Sequence, residues 1–237
     1  NDLNLLSMFG REDIPVFKGV PHPSNATNFE VPGSSGIFHG KNGTGNVDIP
    51  TCSTRKVEET SAVDFIIDCA RKYGKDELVY VPTGPSTNID AAFAKAPDII
   101  DNITIVIMGG SLPQPGNCNP FMEANISMDP EASNRLFATS ADITMIGLDV
   151  TMQALLTKKE TQQLRDTGTK AGAFLADMTD YYIDISEQED PAFQGGCNLH
   201  DPLAAAVAID PTLVITYPIN LTVETEGPRV RRTNGPP

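Results

Sequence analysis

Three short apolar runs constrain this chain more than any other feature: LVYVPTG at 78–84, ITIVIMGGS at 103–111 and ITMIGLDV at 143–150. Apolar residues stand at successive positions in each, not at alternate ones. A strand of that kind needs cover on both faces, which is the habit of a parallel sheet. The first two runs end in Thr-Gly-Pro and Gly-Gly turns. Between and after the runs lie helical patterns.

Helices are expected at 57–74, 88–96, 130–138, 158–166, 170–184 and 201–208. In the first, Val57, Ala62, Phe65, Ile66 and Cys69 share a face, and Gly74 is the stop. Asn88 and Asp201 stand where N-caps belong, and Pro130 and Pro202 suit a first turn. DIPVFKGV at 13–20 and VITYPINLTVET at 214–225 read as further strands. Residues 21–50, 112–126 and 187–199 read as irregular polar stretches, and the tail after Glu226 as frayed. Strands alternating with helices specify an α/β fold with a mostly parallel, Rossmann-like open sheet flanked by helices. Ligands of such sheets bind beyond the C-terminal ends of the strands.

A chain of 237 residues suits one domain with a substantial core, so 1–237 is read as a single domain. Its net charge of −14 lacks the basic footprint of a nucleic-acid partner or an anionic membrane surface. No apolar run reaches the roughly 18 residues of a membrane-spanning helix. Cys52, Cys69, Cys118 and Cys197 form no C-x-x-C pair, so buried thiols or disulfides are expected and zinc is not. Five Asn-X-Ser/Thr sequons, at Asn25, Asn42, Asn102, Asn125 and Asn220, point to secretion, with a cytoplasmic chain as the alternative.

Chemistry-bearing residues gather after the strands. In VPTGPSTN, 81–88, the turn is either plain architecture or a source of backbone carbonyls for a hard cation. MGGSLPQPGNCNPFMEANISMDPEA, 108–132, is either a polar surface loop or a sugar site. Asn117, Glu123 and Asn125 offer the mixed donors and acceptors that sugar hydroxyls need. In NLHDPLAAAVAIDP, Asp201 is either an N-cap or a metal ligand, and His200 beside it is a candidate proton donor. His22 reads as a loop residue. His39, in FHGKNGTGN, either flanks a ligand or is solvated.

Taken in order, DIPV, HG-x-x-G-x-GN, VPTG-x-x-TN, MGG, GN, E-x-N-x-x-x-DPEA, LDVT and HDPLA resemble the inosine–uridine nucleoside hydrolase family, from about Asp13 to about Asp210. The resemblance implies Ca²⁺-dependent hydrolysis of the N-glycosidic bond of ribonucleosides through an oxocarbenium-like transition state. It makes the Thr83 carbonyl and the Asp201 carboxylate metal ligands. Asn117, Glu123 and Asn125 become ribose ligands, and Met108 lines the sugar pocket. His39 and Tyr182 lie on the base side, and His200 is the leaving-group acid. The partner implied is a ribonucleoside, with self-association into a homo-oligomer. The family also carries an Asp-rich D-x-D-x-G-x-D-D motif that holds the remaining metal ligands and the general base. That motif is absent from these 237 residues. The expectation is that it belongs upstream of Asn1, that further chain belongs beyond Pro237, and that this polypeptide alone is inactive. Ala124 replaces an aromatic of several members. The alternative reading is a non-catalytic extracellular module, sugar-binding or structural, derived from such a hydrolase.

Overall fold

A computed structural model describes residues 1–52, 54–189, 195–227 and 230–235. In chain order they form α1 (Asp2–Met8), β1 (Phe17–Lys18), α2 (Gly33–Phe38), β2 (Glu58–Ser61), α3 (Ala62–Tyr73), β3 (Val79–Tyr80), α4 (Thr87–Lys95), β4 (Thr104–Met108), α5 (Ala124–Met128) and α6 (Pro130–Phe137). There follow β5 (Asp142–Ile146), α7 (Leu148–Thr151), β6 (Leu155–Thr157), α8 (Lys158–Asp166), α9 (Lys170–Glu189), β7 (Gly196–Asn198), α10 (His200–Ile209), β8 (Thr222–Val223) and β9 (Thr233–Asn234). The contacts divide the chain into two compact units. The first comprises 1–18, 30–59 and 155–198, the second 19–29, 60–154 and 199–237.

The second unit is built on a parallel sheet in the order β3–β4–β5. Its middle strand explains the apolar runs. Ile105 and Ile107 join Ile66, Ile89, Ile99 and Leu136 in one core cluster. Val106 and Met108, alternating with them, join Ile146, Leu148, Ala204 and Val207 in another. Side chains alternate across a strand, so a strand covered on both faces must be apolar throughout. Each fully buried Ile or Leu contributes about 1.5–3 kcal/mol. β4 therefore anchors whatever is attached to its C-terminal end.

Several expected boundaries shift for local reasons. α3 begins at Ala62, capped by Ser61, whose hydroxyl accepts from the Asp64 N–H at 3.1 Å. Its buried face is Ile66, Ile67 and Ala70, while Val57 and Phe65 are exposed. It stops at Gly74, as expected, with φ of +71°. Ser86, not Asn88, stands at the N-cap of α4. Asn88 instead accepts the Val20 N–H at 2.8 Å. LDVT is helical rather than extended, because the Leu148 N–H bonds the Gly110 carbonyl and turns the chain out of the sheet. Asp129 caps α6 ahead of Pro130. Residues 214–221 make no strand, and Ile215 and Tyr217 are exposed. An alternating pattern needs a neighbouring ladder before it becomes a strand. The tail is not wholly frayed, since β9 pairs antiparallel with β8.

The first unit packs α8 against α9 and pairs β6 with β7 antiparallel. Thr157 and Glu160 form a reciprocal capping box at the start of α8. Buried Thr161 donates to Asp180 of α9 at 2.6 Å. The expected loop 21–50 includes α2, held to α9 by the Tyr181 hydroxyl on the Ile37 carbonyl at 2.9 Å. α9 runs on to Glu189. Of the expected loop 187–199, residues 190–194 lie outside the described residues.

Candidate active site

β4 ends at Met108, which is buried, and hands over to Gly109 and Gly110. Gly110 has φ of +90°, and a Cβ there would stand 2.7 Å from the Met145 sulfur. Only glycine fits such a turn. The freed Gly110 N–H donates to Glu123 Oε2 at 3.0 Å. Glu123 is 1% exposed. Its carboxylate also caps α5, accepting from Asn125 N and Ile126 N, both at 2.9 Å. Burial raises its pKa, and those three backbone donors oppose the rise.

Asn125, the second residue of α5, donates from Nδ2 to the Met108 carbonyl at 3.2 Å. Asn117 accepts the Ala124 N–H at 3.0 Å. Met108, Asn117, Glu123 and Asn125 are thus tied into one constellation at the end of β4. The sequence suggested this grouping without showing how much of each side chain the backbone would claim.

α10 packs on β4. Asp201 is its second residue and not its cap; Leu199 holds the cap position, and no side chain caps it. Asp201 is half-buried and accepts no hydrogen bond among the described residues. Burial, reinforced by the charge of Glu123, pushes its pKa up to about 6. Glu123 thus has three backbone N–H groups to stabilise its charge, while Asp201 has no donor among the described residues.

His200 precedes it. Its Nδ1 lies 2.7 Å from the hydroxyl of Thr151, which is fully buried at the end of α7. Burial lowers the His200 pKa. Thr151 closes the LDVT motif, but nothing local in the sequence marks a threonine at a helix end as a histidine's partner.

Thr83 follows Pro82, whose carbonyl accepts the Met108 N–H at 3.1 Å. That bond brings the first turn level with the second. Thr83 lines a cavity of about 420 Å³ with His22, Phe29, Tyr80 and Asn88. The Tyr80 phenol is pushed up to about 12 by burial. The loop that carries His22 is pinned from below: Asp129, fully buried, accepts from Ser24 N, Ser24 Oγ and Thr87 Oγ1, each at 2.7 Å.

His39 and Tyr182 belong to the first unit. Their rings stack with centroids 5.8 Å apart and an interplanar angle of 5°, and Phe38 meets Tyr182 edge-on. All four cysteines are free thiols, and burial pushes that of Cys197 up to about 11. Among the described residues no three His, Cys, Asp or Glu side chains converge into a metal site.

The family model for inosine-uridine preferring nucleoside hydrolases matches residues 1–235. The chain belongs to that family. The match exceeds the stretch 13–210 on which the motifs rest. An inosine-uridine preferring nucleoside hydrolase of Leishmania major is 36% identical over 218 residues, 91% of this chain and 68% of the relative. Uridine nucleosidase 1 of Arabidopsis thaliana is 33% identical, over 96% of this chain and 66% of its own length. Among solved structures, a purine-preferring ribonucleoside hydrolase from Gardnerella vaginalis superposes with a TM-score of 0.96 at 58% identity, over all of this chain and 74% of the other. The α/β fold is that of the nucleoside hydrolases. The chain spans about two thirds of the length of the curated relatives it matches.

Proposed function

We propose that this chain carries the ribose and leaving-group side of a hydrolase that cuts the N-glycosidic bond of ribonucleosides to give ribose and free base. One observation carries the reading within the fold: Asp201, half-buried and without a hydrogen-bond partner among the described residues, stands in the field of buried Glu123, which belongs with Asn117 and Asn125 to the constellation at the end of β4. An open carboxylate in that position suits a cation that holds a diol.

The donors are oxygen atoms, as a hard ion such as Ca²⁺ prefers. The Asp201 carboxylate and the Thr83 carbonyl would hold it. Such an ion, when bound, supplies Lewis acidity toward sugar hydroxyls and water. It wants six to eight oxygen ligands, and the described residues offer only part of that shell. We assign the remaining ligands and the general base to groups outside them. Asn117 and Asn125 meet ribose hydroxyls, and Glu123 adds the acceptor capacity left on Oε1. Met108 floors the sugar, and His200 faces the leaving base. The Gardnerella protein is purine-preferring by name and 58% identical, so purine nucleosides are the substrates we assign first.

The test is ribose release from inosine and uridine, with calcium or with chelator, alongside calorimetry of calcium and ribose binding. Ribose binding with weak calcium affinity and little turnover is the expectation for this polypeptide by itself. Calcium-dependent turnover, faster on inosine, is the expectation once the remaining ligands are supplied. Ribose binding that never leads to turnover would move the reading to a sugar-binding module. No affinity for ribose or nucleoside in either form would sink it.

A further inference from the structure

The end of α7 and the start of α10 are joined twice. The Leu199 N–H donates to the Ala154 carbonyl at 2.8 Å, and the Thr151 hydroxyl meets His200 Nδ1 at 2.7 Å. The backbone bond sets where α10 begins. The side-chain bond sets how its first residue is turned. Thr151 has no exposure to solvent, and its hydroxyl has no other partner among the described residues.

That isolation decides the direction of the bond in the neutral ring. A buried hydroxyl must place its hydrogen somewhere, and a buried donor left unmade is costly. Among the described residues only Nδ1 is within reach. Were Nδ1 protonated in the neutral imidazole, the threonine hydrogen would have no acceptor. The tautomer with hydrogen on Nε2 is therefore favoured, by about tenfold or more. In the cationic ring Nδ1–H donates to Thr151 instead, and Nε2 still carries hydrogen. Either way the bond presents an Nε2–H on the side of the ring turned away from Thr151. Nε2 has no partner among the described residues.

We propose that Thr151 is a positioning residue: it fixes the ring orientation of His200 and keeps hydrogen on Nε2, so that this nitrogen offers the leaving base a hydrogen bond rather than a transferred proton, since transfer would leave the Nδ1–H tautomer that Thr151 disfavours. The use of that donor rests on the ribonucleosidase reading; the orientation does not.

The test begins with nitrogen-15 spectra of the histidine side chains. The chain has three histidines, so His22→Gln and His39→Gln assign the His200 signals. In the neutral wild-type ring, Nε2 should show the shift of a protonated nitrogen. Nδ1 should show that of an unprotonated, hydrogen-bonded acceptor. Thr151→Ser should preserve both signals. Thr151→Val, close in shape but without the hydroxyl, should move Nδ1 to its unbonded value and broaden the ring signals. In turnover Thr151→Val should lower kcat by about ten- to a hundredfold with KM moved less than about threefold, and Thr151→Ser should restore most of the loss. Hydrogen on Nδ1 in the neutral wild-type ring would overturn the proposal without any variant. So would a Thr151→Val protein, folded by its amide spectrum, whose His200 signals match wild type. A chain that shows the Thr151-dependent shifts but hydrolyses nothing under any condition would retain the positioning role and sink the hydrolase reading instead.

Discussion

Two helices of the second unit begin beside a carboxylate, and the two carboxylates are treated in opposite ways. At α5, Glu123 is almost wholly buried, yet three backbone N–H groups point at it. At α10, Asp201 is less buried, yet nothing in the described protein donates to it. Both sit near the positive end of a helix, which favours an anion. Only one has its hydrogen-bonding capacity used. Burial of a charge is tolerable where fixed dipoles replace water and costly where they do not. The contrast separates a carboxylate bound into its turn by backbone donors from one whose hydrogen-bonding capacity is unused among the described residues. It also shows how much of Glu123 the backbone uses. Oε2 takes two donors and Oε1 takes one, so one lone pair on Oε1 is unused.

The contrast breaks hardest at Glu123. Glu123→Ala would strand the Gly110 and Ile126 donors inside the protein and uncap α5. The expected loss is on the order of 3 kcal/mol or more, read as a fall in denaturation midpoint. A stability change under about 1 kcal/mol would mean that the turn relaxes and that Glu123 is held only as a ligand.

Next comes Asp129, a second carboxylate whose capacity is used. Burial alone would raise its pKa, but the hydrogen bonds from Thr87, Ser24 and Ala132 outweigh that and hold it below the ordinary value. A lowered folded-state pKa gives stability that is present above the unfolded value of 3.8 and is lost as pH falls through the folded one. Asp129→Asn should cost about 2 kcal/mol near neutrality, less in acid, and should loosen the Ser24 loop in hydrogen exchange. An equal cost at every pH would show that the charge is not what matters.

Asp201 should respond with the opposite sign. Its pKa is raised to about 6, so the folded state binds a proton more tightly than the unfolded chain does. Stability therefore falls as pH rises from the unfolded value toward about 6 and stays lower above it. Asp201→Asn should match or exceed wild-type stability at neutral pH, and calcium should raise the melting temperature of wild type alone. A destabilised Asp201→Asn protein, indifferent to pH, would end the comparison with Glu123.

How far the sequence went follows from what each feature depends on. The runs at 78–84, 103–111 and 143–150 declared the sheet because burial on both faces leaves no room for polar residues, and β4 fulfils that. The glycines after Met108 declared a tight turn, and Gly110 has the positive φ that requires one. Motif order placed the chain in its family. What stayed hidden depends on tertiary partners. Asn88 looks like a cap until Val20 is seen to claim it. Asp201 looks like a cap until Leu199 is found in that place. Residues 214–221 have a strand's pattern and no strand to pair with. Thr151 has no local signal, because its partner lies 49 positions away.

Asn125 tests the finer edge of the comparison, because it belongs to both classes at once. Its Nδ2 is bound to the Met108 carbonyl at 3.2 Å, while no protein donor among the described residues reaches Oδ1. One end of the amide therefore holds the turn, and the other is free to accept a hydrogen bond, which the proposed function gives to a sugar hydroxyl. Asn125→Ala removes both ends. It should cost about 1 kcal/mol of stability, the worth of one hydrogen bond, and weaken ribose affinity by about tenfold. Asn125→Asp separates the two roles. Acceptor oxygens remain on the ribose side, but a carboxylate faces the Met108 carbonyl where an N–H stood. Ribose affinity should then fall less than in Asn125→Ala, while stability falls more. If Asn125→Asp instead binds ribose worse than Asn125→Ala at equal stability, the amide hydrogens make the sugar contact, and the bond to Met108 gives way when ribose enters.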